Sequence, residues 1–204
     1  MSSNTMTTAK ALTFGTELEY TRISRERAAK AIHAVIGGTV RYTGGCYDAW
    51  TVTAPDGREW RAISDASLGS SATSAEVVTP ILKWEDLETL QAVVRELRRA
   101  GAKATDATSQ HVHIGVAEFT AQQIANLARI FYKQEELILK AVGTWEHRLN
   151  RYTRRTDRAF IDRLEAAKPK TRESLNRAWF GYANPNPAHY DSARYYVEVK
   201  IMLS

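Results

Sequence analysis

The chain encodes an α+β domain with a largely antiparallel sheet flanked by helices, and three features of the sequence predict it. Short segments of two-residue apolar period alternate with longer segments of helical period. Compact turn signals separate them, with no long crossover pattern. Hydrophobic residues make up 44% and charged residues 25% of 204 positions, the balance of a globular chain with enough length for a sizeable core.

The elements follow in order. The polar start, 1–12, reads as a flexible lead-in to a single domain over 13–204. Thr13–Tyr20 alternates Phe14, Thr16, Leu18 and Tyr20 against Gly15, Glu17 and Glu19, a strand with both glutamates on one face. Ser24 caps a helix through Ala28, Ile32, Val35 and Ile36, which Gly37-Gly38 stops. Asp48–Thr53 and Arg58–Ile63 flank Pro55-Asp56-Gly57 as a hairpin, and Ser64–Ser74 is a polar loop. Ala75–Val78 is a short strand ended by Pro80. Trp84–Ala100 is an amphipathic helix, with Leu87, Leu90, Val93, Val94 and Leu97 at helical spacing. His111–Val116 is a strand, and Thr120 caps a long helix through Leu139. Two shorter helices, near Phe160–Ala167 and Arg172–Trp179, precede a Pro/Asn loop and a strand-like Arg194–Leu203.

Composition excludes several classes. One cysteine, Cys46, cannot close an internal disulfide, which points to the reducing cytoplasm. No apolar run reaches a membrane span, and no secretion signal opens the chain. The net charge of +5 lies in one stretch, Arg148–Arg172, and the remainder is nearly neutral, unlike a surface built for non-specific DNA binding. GxxxxGK[ST] and GxGxxG patterns are absent, so neither a P-loop nor a dinucleotide fold is expected. Tyr42, Tyr47, Trp50 and Trp60 suit a core better than a stacking surface, and no base accompanies Cys46 as a nucleophile.

The chemistry-bearing residues are acidic. Glu17 and Glu19 project from one strand face with roots about 7 Å apart, where they repel unless solvated or bridged by a hard divalent cation. Asp65 lies in the loop after the hairpin, and Glu76 sits on a strand among β-branched neighbours, where a lone buried carboxylate is costly. His111 and His113 share another strand face, and imidazole ligates Mn²⁺ or Mg²⁺ beside carboxylates or donates to a phosphate. Zinc is the weaker choice without CxxC or HExxH patterns. Arg151, Arg154, Arg155 and Arg158, spaced three or four apart near Asp157 and Asp162, read equally well as a solvated helix face or an anion site.

Three strings taken together, Phe14-Gly-Thr-Glu-Leu-Glu19, Asp65-Ala-Ser67 with Glu76-Val-Val-Thr-Pro80, and His111-Val-His113-Ile114, resemble the amidoligase family. These are carboxylate–amine ligases of the glutamine synthetase and glutamate–cysteine ligase superfamily. The similarity covers Thr13–Val116 well and continues loosely through Arg148–Tyr152 and His189–Tyr195. The resemblance implies a glutamine-synthetase-like sheet and an ATP- and Mg²⁺-dependent (or Mn²⁺-dependent) ligase working through an acyl phosphate. It implies small-molecule or peptide carboxylate and amine substrates. It assigns Glu17, Glu19, Asp65, Glu76 and His113 to the metals and, with Arg148, Glu17, Glu19 and His113 to the nucleotide. Arg148, Arg151 and Arg194 are the looser matches for contacting phosphates or a substrate carboxylate, a role that suits a planar guanidinium.

The family's final strand, with a T-[IV]-E-F-R-like motif, has no clear counterpart. Val197-Glu198-Val199-Lys200 is the nearest string, so the chain is expected to lack the C-terminal part or to use Glu198 in its place. Two other readings follow: an inactive or accessory amidoligase-like binding protein and, less favoured, a nucleic-acid module built on Arg148–Arg172.

Overall fold

A computed structural model describes residues 3–68, 72–143 and 155–185. The chain divides into two compact units, Met1–Gly115 and Val116–Ser204. The first unit runs α1 (Ser3–Lys10), β1 (Phe14–Thr21), α2 (Arg25–Ile36), β2 (Thr39–Gly44), β3 (Ala49–Thr53), β4 (Glu59–Ile63), β5 (Ser74–Val78), α3 (Leu87–Arg99) and β6 (Gln110–Ile114). Its six strands form one sheet in the order β2-β3-β4-β5-β1-β6, with every pairing antiparallel.

Strand alternation makes one face apolar and the other polar. Tyr20, Val52, Trp60, Ala62, Ala75 and Val77 point to one side and bury against Ala28, Ala29 and Ile32 of α2 and Val93 and Leu97 of α3. Helix α2 can lie close to the sheet because its buried face is mostly alanine. The Ser24 hydroxyl accepts from the Arg27 amide at its start, and Gly37, at φ 70°, ends it. Of the aromatic residues near the hairpin, Trp60 is core and Trp50 packs against it, whereas Tyr42 and Tyr47 are exposed. The hairpin tip is tied to the start of α3 by Arg58, whose guanidinium forks onto both oxygens of Asp86 at 2.8 and 2.9 Å.

Most expected elements occupy their expected places. Strand β2 was not foreseen: its residues are mostly exposed, so it carries little apolar alternation, and it exists by pairing with β3. The loop over Ser64–Ser74 holds a 3-10 turn at Ala66–Leu68, and Ser3–Lys10 is helical. Just before β2, Gly38 has φ 85°, and a Cβ added there would lie 2.0 Å from the Thr53 carbonyl oxygen. Gly38→Ala is therefore expected to cost about 2 kcal/mol or more in urea unfolding. Gly57→Ala, with the same sign of φ and open space around it, should cost about 1 kcal/mol. Equal costs would mean that the collision with the β3 backbone is not what fixes Gly38.

The second unit is helical: α4 (Ala121–Val142), α5 (Arg158–Ala167) and α6 (Arg172–Phe180). Thr120 and Gln123 form a capping box at the start of α4. Phe160 and Trp179 meet edge to face at 4.7 Å in a core with Ile124, Ile161, Leu164 and Leu175. The described arginines of the basic stretch are engaged locally. Arg155 pairs with Glu136 and Arg158 with Asp162, while Arg172 donates to the carbonyls of Val116, Ala117 and Phe119. Residues 155–157 precede α5, which Asp157 caps, so the four-arginine helix face expected there does not extend through them. Arg148, Arg151, Arg154, Arg194 and the strand-like C-terminal stretch with Glu198 lie outside the described residues. Among the described residues, no helix is long and apolar enough to cross a membrane.

Candidate functional site

Pairing register decides which polar side chains meet on the face turned away from α2 and α3. Strand β1 lies between β5 and β6. Glu17 is opposite Val78 on one side and His111 on the other; Glu19 is opposite Glu76; Gly15 is opposite His113. Directly paired residues project to the same side of a sheet. Glu17, Glu19, Glu76, His111 and His113 therefore share the polar face.

Glu17 sits between two imidazoles. His111 Nδ1 lies 2.7 Å from one carboxylate oxygen, and His113 Nε2 lies 3.3 Å from the other. These contacts, His111 first, hold its carboxyl well below the usual range against the opposing effect of burial. Glu19 is the deeper acid, with its side chain 3% exposed. Both its oxygens accept from Ser109, the amide at 2.7 Å and the hydroxyl at 2.5 Å. Ser109 directly precedes β6, so the strand that carries the histidines also anchors Glu19.

Asp65 reaches the same place from the loop after β4. Its carboxylate accepts the Ser67 amide and the Ser67 hydroxyl, each at 2.8 Å, a local turn that fixes the side chain. One oxygen from each of Glu19, Asp65 and Glu76 lies within 4.8 Å of the other two. Glu76 bears the consequence: burial, then the charges of Glu17 and Asp65, push its carboxyl up to about 7. Three carboxylates held together from two strands and a pinned loop form an all-oxygen donor set suited to Mg²⁺ or Mn²⁺. A divalent ion would relieve the repulsion that Glu76 records.

The residues expected to bind metal thus fall into two adjacent groups. Glu19, Asp65 and Glu76 converge; Glu17 and His113 stand beside them, together with His111. Reading the residues in order did not assign His111 to Glu17 or Ser109 to Glu19. The period-two pattern of His-x-His puts both imidazoles on one face, but only register shows that His111 is the one directly across from Glu17.

A family model described as "Putative amidoligase enzyme" matches residues 10–201. No curated protein and no solved structure matches the chain.

Proposed function

From the premise that the chain belongs to the amidoligase family, we propose that it is an ATP- and Mg²⁺-dependent carboxylate–amine ligase with a glutamine-synthetase-like sheet. The observation that carries this reading is the convergence of Glu19, Asp65 and Glu76, with oxygens within 4.8 Å of one another, on the polar sheet face. Those three residues would hold the divalent ions. Bound Mg²⁺ and ATP would supply a phosphoryl group that turns a carboxylate into an acyl phosphate open to attack by an amine.

The chain's own residues supply placement. Ser109 fixes Glu19, and Ser67 fixes Asp65, so two of the three ligands are held before any ion arrives. Glu17 orients His111 and His113 from one carboxylate, and the partly exposed His113 would donate to phosphate oxygens on the same face. Arg148, Arg151 and Arg194 are proposed to contact the nucleotide phosphates or a substrate carboxylate.

Paramagnetic resonance titration of the purified chain with Mn²⁺ tests the ion site. ADP release tests the reaction when ATP is given with pooled carboxylates and amines. The expected result is saturable Mn²⁺ binding, with ADP formed only when both pools are present and lost on chelation. Mn²⁺ that stays free at millimolar protein, or ADP release indifferent to both pools, would refute the ligase.

A further inference from the structure

Glu19 and Glu76 are placed by the sheet, since they face each other across paired strands, but Asp65 is carried by a loop. Its contacts with Ser67 fix the carboxylate only relative to its own turn. The loop, residues 64–73, leaves β4 and returns at β5, and both of its ends lead to one guanidinium. At the first end, the Ser64 amide donates to the Tyr47 carbonyl at 2.8 Å. Tyr47 precedes Asp48 in the turn between β2 and β3. Arg25 Nε and Nη2 both donate to one Asp48 oxygen, Nε at 2.8 Å, and the Tyr42 hydroxyl donates to the other oxygen at 2.8 Å. At the second end, Arg25 Nη1 donates at 3.2 Å to the carbonyl of Ser74, which opens β5 two residues before Glu76. All three nitrogens of a side chain only 12% exposed are therefore spent on the two segments that bracket the loop. Neither residue of the ion pair favours its own element. Arg25 begins α2, where a cation opposes the helix dipole, and Asp48 adopts φ 46°, a left-handed conformation that is costly away from glycine.

We infer that Arg25 is a positioning residue for the ion site: by clamping both ends of the 64–73 loop it sets where the Asp65 carboxylate stands relative to Glu19 and Glu76. This rests on the ion site of the ligase reading above. Ion ligands must be held to within about 0.5 Å, and a loop ligand reaches that precision only through contacts beyond its own turn. A planar fork suits the task because its acceptors belong to two different segments, whereas a lysine ammonium is a single point of charge. Arg58 provides the internal comparison. It makes a clamp of the same kind, but its partners are Asp56, Asp86 and the Ile81 carbonyl, none of which leads to Asp65.

The test follows Mn²⁺ affinity of the full chain by paramagnetic resonance, with urea unfolding measured alongside. Arg25→Ala is expected to weaken Mn²⁺ binding by about 10-fold or more while the protein is still fully folded, and Arg25→Lys should fall between it and wild type. Arg58→Ala should unfold at lower urea yet keep the wild-type Mn²⁺ affinity, which separates placement of the ligand from stability alone. In an Asp65→Asn background, Arg25→Ala should cost less than about 2-fold further, because its effect passes through Asp65. If Arg25→Ala does not fold, Asp48→Ala opens the same clamp from its more exposed side and carries the same expectation. Wild-type Mn²⁺ affinity in the folded clamp variant overturns the assignment. So does an equal loss in Arg58→Ala, or a loss from Arg25→Ala that is undiminished in the Asp65→Asn background. In each of these cases the wild type still binds Mn²⁺, so the ligase reading stands and only the role of Arg25 falls. A wild type that binds no Mn²⁺ removes that reading and this inference with it.

Discussion

Glu19→Gln is expected to weaken Mn²⁺ binding by at least about 100-fold and to reduce ligase turnover by about 10³ or more, with the sheet still folded. The substitution keeps the shape of the side chain and removes its charge. The glutamine carbonyl can still accept the Ser109 amide, and the Ser109 hydroxyl can turn to accept from the new amide group, so the anchoring of this buried side chain is largely kept. What disappears is one of three anionic oxygens in the cluster. Asp65 and Glu76 alone would then carry the ion, one from the loop after β4 and one from β5. Glu19→Ala is the harsher change: it strips both acceptors from Ser109 and is expected to destabilise the fold by about 1–3 kcal/mol besides. Circular dichroism melting separates the two effects, and Mn²⁺ resonance reads the ion directly. A Glu19→Gln protein with wild-type Mn²⁺ affinity would mean that the ion binds elsewhere, whatever happens to turnover.

Local pattern carried much of the fold. The alternation in β1, the Ser24 cap, the Pro55-Asp56-Gly57 turn and the Thr120 cap are each settled within a few residues, and each reads directly from the sequence. Strand β2 was not legible because its mostly exposed residues owe their conformation to a partner strand rather than to apolar alternation. The site divides in the same way. Glu17 and Glu19 share a face by period two alone, but their partners, His111 and His113 for Glu17 and Ser109, His111 and two acids for Glu19, depend on register. Ser109 and Glu19 are 90 residues apart, and nothing local to either predicts their contact.

Glu76→Gln is expected to stabilise the metal-free protein at pH 8 while destroying its response to divalent ions. Burial and the charges of Glu17 and Asp65 push the Glu76 carboxyl up from its usual 4.5 to about 7. Between those values the native state holds the proton that the unfolded chain has released, so stability falls as pH rises through that window and levels off above it. The full loss at pH 8 is on the order of 1–2 kcal/mol once partial exposure is allowed for, a few degrees of melting temperature. Glutamine is neutral throughout, so the variant should melt higher than wild type at pH 8 and close to it at pH 4.5. Histidines and other acids titrate in both proteins, which makes the difference between the two curves the quantity to follow. Added Mg²⁺ should then reverse the ranking at pH 8, because an ion that binds only the folded wild type raises its stability by mass action and the variant has lost a ligand. A gap between the two proteins that does not change from pH 4.5 to pH 8 would show that Glu76 is not strained by its acidic neighbours. Equal stabilisation of both by Mg²⁺ would show that the ion does not use it. The pair of outcomes expected here, a carboxylate that costs stability when the site is empty and repays it when an ion binds, is the physical signature of a residue kept for a cation rather than for the fold.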